Sequence, residues 1–215
     1  MRIISAVAAA TVLIAGVAIV EAPAGAAPSP TVRVVVRPVT SAGHHAAGFT
    51  VTGEPSGSVD CSVADPSPGA VNRNIEFCSP SAEYAIACWK AAAPHHVLCM
   101  RNPRRKNIVL IPRHGAFAKT NPAPARQRAP LAMNLHDGDH CSIRDGGAGP
   151  VRHGHPQWSA TYFCVHDGVV WAKPGAAHLG VNESAASWTV VTGGETGPLV
   201  TRHVAKAWFV GTHHV

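Results

Sequence analysis

A mainly β fold, sandwich or small barrel in type and stapled by disulfides, is predicted by three observations. Twenty glycines and eighteen prolines punctuate a chain of 215 residues, too often for long helices or coiled coils. Short β-branched and apolar runs recur between Gly- and Asp-bearing turns, the spacing of sandwiches and barrels. Six cysteines, an even number, all lie between positions 61 and 164. Apolar residues make up 46% of the chain and charged ones 14%, a balance that excludes general disorder and lets a core form. The sequence admits one β unit or two β subdomains.

Met1-Arg2 precede an apolar run from Ile3 to Val20, followed by Glu21 and the small residues Ala22-Pro23-Ala24-Gly25-Ala26-Ala27. This layout predicts an export signal over 1–26, cut after Ala24-Gly25-Ala26. The run is long enough for retention as a membrane anchor to be the competing reading. No later apolar run approaches that length, so no span is expected after cleavage. Export places the cysteines in oxidising surroundings, where disulfides are the leading assignment.

Residues 27–118 read as a β-rich disulfide region. Thr31–Arg37 is a strand by its β-branched content, ended by Pro38. Residues 41–82 are turn-rich, with a short strand at Gly48–Thr52. Tyr84–Lys90 and Val97–Asn102 form a hairpin, because Pro94 between them breaks a helix, and Asn107–Ile111 adds a strand. Residues 119–130, Lys-Thr-Asn-Pro-Ala-Pro-Ala-Arg-Gln-Arg-Ala-Pro, form a basic Pro-rich linker or strap. Residues 131–215 are again β-rich, with strands at Leu131–Leu135, His140–Arg144, Ser159–Val165, Val169–Lys173, Ser187–Thr192 and Leu199–Val210. The turns between them include Asp137-Gly138-Asp139, Asp145-Gly146-Gly147, Asp167-Gly168 and Gly193-Gly194. A helix over His203–Phe209 competes with the last strand.

Six cysteines allow 15 pairings. Cys88 and Cys99 flank the hairpin, and the Pro-rich stretch sets Cys141 and Cys164 apart, which favours Cys141–Cys164 and leaves Cys61–Cys78. Loop closure makes each bridge worth about 3 kcal/mol.

Phe77-Cys78-Ser79-Pro80-Ser81, Ala87-Cys88-Trp89 and Val97-Leu98-Cys99-Met100-Arg101-Asn102-Pro103 are followed by Asp137-Gly138-Asp139-His140-Cys141-Ser142-Ile143-Arg144-Asp145-Gly146-Gly147, then Tyr162-Phe163-Cys164, Trp188-Thr189-Val190 and Ala207-Trp208-Phe209. Over roughly residues 61–212 this series resembles a family of exported, disulfide-containing actinobacterial proteins of the mycobacterial type, to which no activity is assigned. The resemblance implies export and fold. His136, His140 and Asp145 depart from its usual pattern.

Fourteen histidines include His136, His140, His153 and His155, near Asp137 and Asp139. Such a set supports a metal-dependent exported enzyme as the alternative reading, against which stand the missing glutamate base and the Gly/Pro surroundings of His153-Gly154-His155-Pro156, which read as loop. Ile108 to Gly115 imitates the strand and Arg-His-Gly of histidine phosphatases, but Ala116 stands where that family has Glu or Gln, and its flanking helices are missing. No serine elbow, spare cysteine or paired carboxylates can be identified, and no cofactor is called for.

The remaining asymmetry is charge. No acid lies between Glu83 and Asp137, while nine lysines and arginines do. Arg104, Arg105, Lys106, Arg126 and Arg128 are the candidate contacts for an anionic envelope polymer or lipid. Aromatic scarcity argues against a base-stacking nucleic-acid binder. The leading function is a secreted or envelope-associated binding or structural protein without catalysis.

Overall fold

The computed structural model describes residues 27–52, 57–63, 65–80, 85–147, 149–166 and 168–213. The export signal, the start of the strand expected from Tyr84, and Asp167 lie outside these residues. The fold is mainly β, and among the described residues thirteen strands form two sheets.

The first sheet closes on itself. In chain order β7 (Ala132–Leu135), β8 (His140–Ile143), β10 (His155–Cys164), β11 (Val169–Ala172), β12 (Thr189–Gly193) and β13 (Val200–His213) contribute. The order runs β13-β12-β11-β10-β8-β7, and β7 pairs antiparallel with β13, giving a six-stranded barrel. The short β9 (Val151–Arg152) pairs with β10. Closure removes free edges without helices to cover them.

Strand β13 organises this sheet. Val200–His203 pair with β12, and Lys206–His213 run parallel to β1 (Val32–Thr40). On the opposite edge Val204–Trp208 pair with β7, after which Val71 donates its N–H to the Val210 carbonyl and Val210 donates to Gly69. The fork between β12 and β1 is filled by Thr31. Its hydroxyl donates to the Val204 carbonyl at 2.6 Å and accepts the Trp188 N–H at 2.8 Å. Arg33 then lies over the rings of Phe209 and Trp188, at 4.6 and 5.2 Å from their centroids.

The helix competing for His203–Phe209 does not form. Val204, Ala207 and Phe209 are all buried, and the three-residue step from Val204 to Ala207 imitates helical spacing. A register shift between Val204 and Lys206 against β7 changes the phase of the strand and accounts for that step. Pro38 does not end β1 either. Pairing to β13 resumes at Val39 after a shift from Val36, so the residue without an N–H sits in the irregularity, where no ladder bond is asked of it.

The second sheet has the order β2 (Thr50–Thr52), β6 (Asn107–His114), β5 (His96–Met100), β4 (Ala87–Lys90), with β3 (Val59–Asp60) also on β6. Its side chains alternate between two environments. Trp89, Leu98, Met100 and Ile108 join a buried cluster that also holds Leu131, Met133, Tyr162, Val204 and Phe209 of the barrel. Cys88, Val97, Cys99, Val109 and Ile111 face a second cluster completed by Cys61, Cys78 and Val59.

The three bridges are Cys61–Cys78, Cys88–Cys99 and Cys141–Cys164, the pairs favoured from the sequence. Cys88 and Cys99 are direct cross-strand partners, as are Cys141 and Cys164. No helix among the described residues is long and apolar enough to cross a membrane.

Replacing Thr31 by Val should leave the Trp188 N–H without its acceptor at a partly buried position. The expected cost is about 1–3 kcal/mol, read as a lower urea midpoint with an unchanged slope.

Candidate functional site

The four histidines of the metal alternative are not gathered into one site. The His136 ring contacts the Ser29 carbonyl at 3.3 Å, His140 opens β8, His153 is in a tight turn, and His155 stacks on Trp158 with centroids 4.8 Å apart. The segment expected to be a loop is the β9–β10 hairpin, with His155 and Pro156 already in β10. Among the described residues no three of His, Cys, Asp or Glu come together as metal ligands. The Asp-Gly-Asp turn has a local purpose. Buried Asp139 accepts the backbone N–H groups of His140, Val165 and His166 at 2.7, 3.1 and 3.2 Å, tying the β7–β8 turn to the end of β10.

The five basic candidates occupy two different surroundings. Arg104 is partly buried and donates to the Ser142 hydroxyl of β8 at 2.8 Å and to Asn102 Oδ1 at 3.3 Å, so it joins the β5–β6 turn to the barrel. Burial, followed by repulsion from Arg105, pushes its affinity for the proton down. Arg105 and Lys106 are exposed on the same turn. Arg126 lies exposed in a 3-10 turn at Ala125–Gln127. Arg128 donates from Nε to the Ala123 carbonyl, and its own carbonyl contacts His178 Nδ1 at 2.5 Å.

Three hollows can be compared by what neutralises their charge. One of about 370 Å3, lined by Arg101, Arg105 and Phe163, also holds Asp145, whose carboxylate meets Arg101 Nε at 2.7 Å. Another of about 480 Å3 contains both His178 and Glu183, 3.6 Å apart. Each of these includes an acid in its lining beside its basic groups.

The third, an open cleft of about 620 Å3, does not. Arg73, Lys90, Arg113 and Lys119 line it together with Trp89 and Phe117, and no acid lines it among the described residues. Lys90, Arg113 and Lys119 belong to the acid-free stretch noted in the sequence. Arg73 comes from outside it and was missed, because the sequence shows no reason for residues 72–74 to meet β4 and β6.

The architecture supplies that reason. At the end of β13 the Thr212 N–H donates to Asn72 Oδ1 at 3.0 Å, holding the 72–74 loop beside the barrel. Gly43, at φ +82°, lets the turn after β1 approach β4. A Cβ there would lie 2.6 Å from the Ala92 nitrogen, and Ala92 donates its N–H to the Gly43 carbonyl.

The last wall is the irregular segment carrying Phe117 and Lys119. Ala118 donates to the Cys61 carbonyl, and the Thr120 carbonyl accepts the Asn74 N–H. Thr120 also donates its hydroxyl and its N–H to Glu76 Oε1, at 2.7 and 3.2 Å. The Pro-rich strap is therefore anchored at its start by a fully buried carboxyl. Burial raises the Glu76 pKa from its ordinary value, against the lowering effect of the Thr120 bonds and with a small push from Asp65. Its Oε2 has no partner among the described residues.

Comparison of the chain with protein-family models, with curated proteins and with solved structures returns no match.

Two outcomes are expected. Folded Glu76 keeps its proton to higher pH than unfolded Glu76, so its protonated form favours the native state at low pH. That advantage is lost as pH rises from the ordinary carboxyl range through the folded value. Glu76→Gln retains an acceptor for Thr120 and removes the buried charge. It should raise Tm at pH 8 by about 2–4 °C, as ~1 kcal/mol does in a chain of this size, and leave Tm at pH 4 nearly unchanged. Separately, Arg104→Gln should cost about 1–2 kcal/mol in chemical denaturation through loss of its bond to Ser142, whereas Arg105→Gln should stay within about 0.5 kcal/mol.

Proposed function

We propose that the chain is an exported, non-catalytic binding protein that takes an anionic component of the cell envelope in the cleft of Arg73, Lys90, Arg113 and Lys119. The observation that carries this reading is the unbalanced charge of that cleft. Among the described residues, four cations from separate segments line one volume with no acid beside them, whereas each of the two other hollows includes an acid, Asp145 or Glu183. Like charges held together raise the free energy of the site until an anion joins them, and low-dielectric walls strengthen the field they produce.

Arg105, Lys106 and Arg126, exposed at the surface, add a long-range attraction that raises the rate of encounter while leaving the binding geometry to the cleft. Export is supported by the apolar run and small-residue stretch at the N-terminus, by the resemblance to exported actinobacterial proteins, and by disulfides joining all the cysteines of the described residues.

Retention of the purified protein on isolated, deproteinised cell-envelope material tests the reading. Arg73→Gln/Lys90→Gln/Lys119→Gln should reduce retention about tenfold or more at 0.05 M salt, a change of about 1.4 kcal/mol. Arg105→Gln/Lys106→Gln/Arg126→Gln should reduce it less, and the two effects should differ most at 0.15 M salt, where screening weakens distant charges. Equal retention of the first triple variant and the wild type would exclude the cleft.

A further inference from the structure

Building on the anion-binding reading of this cleft, we propose that its ligand is a small phosphate ester bearing an apolar or ring-shaped group, and not a polyanion laid along the surface. The first support is convergence. The four cations come from the 72–74 loop, β4, β6 and the strap, and they border a single hollow. A polymer is better served by charges strung along a continuous track. A volume near 620 Å3 lies in the range of small-molecule sites, about 300–1,000 Å3.

The second support is the kind of cation present. Arg73 carries a planar donor fork that matches the oxygens of phosphate or carboxylate, and Arg113, whose Nη1 donates to the Gly115 carbonyl, has N–H groups of the same fork left for a ligand. Four positive charges with no lining acid among the described residues leave a single negative charge under-compensating, which favours a dianion. A phosphate monoester, with a second pKa of about 6, approaches that charge at neutral pH. The third support is the apolar part of the lining. Phe117, partly buried against the cluster that holds two of the disulfides, borders the cleft together with exposed Ala116. These two residues offer a surface to the organic portion of the ester, a contact that bare phosphate lacks.

Isothermal titration of the wild type at pH 7.5 with phenyl phosphate, inorganic phosphate and benzoate is the test. Phenyl phosphate should bind about tenfold or more tightly than either of the others. Arg113→Lys keeps the charge but removes the fork, and should weaken phenyl phosphate about tenfold; Lys173→Gln, at an exposed cation that does not line the cleft, should change nothing. Arg73 is exposed, so Arg73→Lys carries the same test should Arg113→Lys fail to fold. Sedimentation with phosphatidylglycerol vesicles separates the sources of the phosphate. Vesicle binding displaced by phenyl phosphate supports the same chemistry with a lipid headgroup as donor, and vesicle binding that phenyl phosphate does not displace counts against the cleft.

Equal affinity for benzoate and phenyl phosphate, or indifference to both Arg→Lys changes, would overturn the phosphate assignment while leaving anion binding in place. Envelope retention that depends on the cleft, with no binding of any small anion, would overturn the small-ligand assignment. Loss of both signals would sink the underlying reading as well.

Discussion

A strand of fourteen residues needs partners for both of its edges, and most of this architecture follows from how β13 finds them. β12 serves one edge only as far as His203, and β7 serves the other only as far as Trp208. The remaining backbone groups would be costly to bury unpaired. β1 takes over the first edge and the segment 69–72 the second. Two stretches more than 100 residues earlier in the chain are thereby fixed to the barrel. Thr31 seals the handover by bonding to both Val204 and Trp188.

The second sheet solves a different problem. One face joins the core shared with the barrel, while the other has only loops to cover it. Two disulfides lie in that outer cluster, Cys88–Cys99 across neighbouring strands and Cys61–Cys78 within the covering loop. Cross-links replace the apolar area that a second layer would have provided, a solution suited to small units outside the reducing cytosol. The same loop positions the site, since the Cys61 carbonyl accepts the N–H of Ala118 beside Phe117.

Charge is handled unevenly across the molecule. Asp145 neutralises Arg101, Asp137 bonds to Arg202, and Glu183 sits between Arg33 and His178. Several of the few acids are thus committed to local pairs. Glu76, nearest in sequence to the 72–74 loop, is buried under Thr120 with a raised pKa and does not line the cleft. The cations of that cleft are left to act together, and the field there is the outcome of where the acids went.

Local chemistry was readable from the residues alone: β-branched runs between turn residues announced the longer strands of both sheets, though not the two-residue β3 and β9, and a hairpin flanked by Cys88 and Cys99 predicted their bridge. Such features depend on neighbours within a dozen residues. Barrel closure, the parallel pairing of β1 with β13, continuation of β1 past Pro38, and the bulge that makes Val204 and Ala207 look helical all depend on pairing over long separations, which no local pattern encodes. The acid-free stretch announced a basic surface, but a run of charges does not say which members will converge. Arg104 and Arg128, singled out by sequence, hold the structure together, whereas Lys90, Arg113 and Lys119 meet Arg73 only because β13 brings the 72–74 loop to the second sheet. Composition determined the sign of the site; the shared strand determined its members.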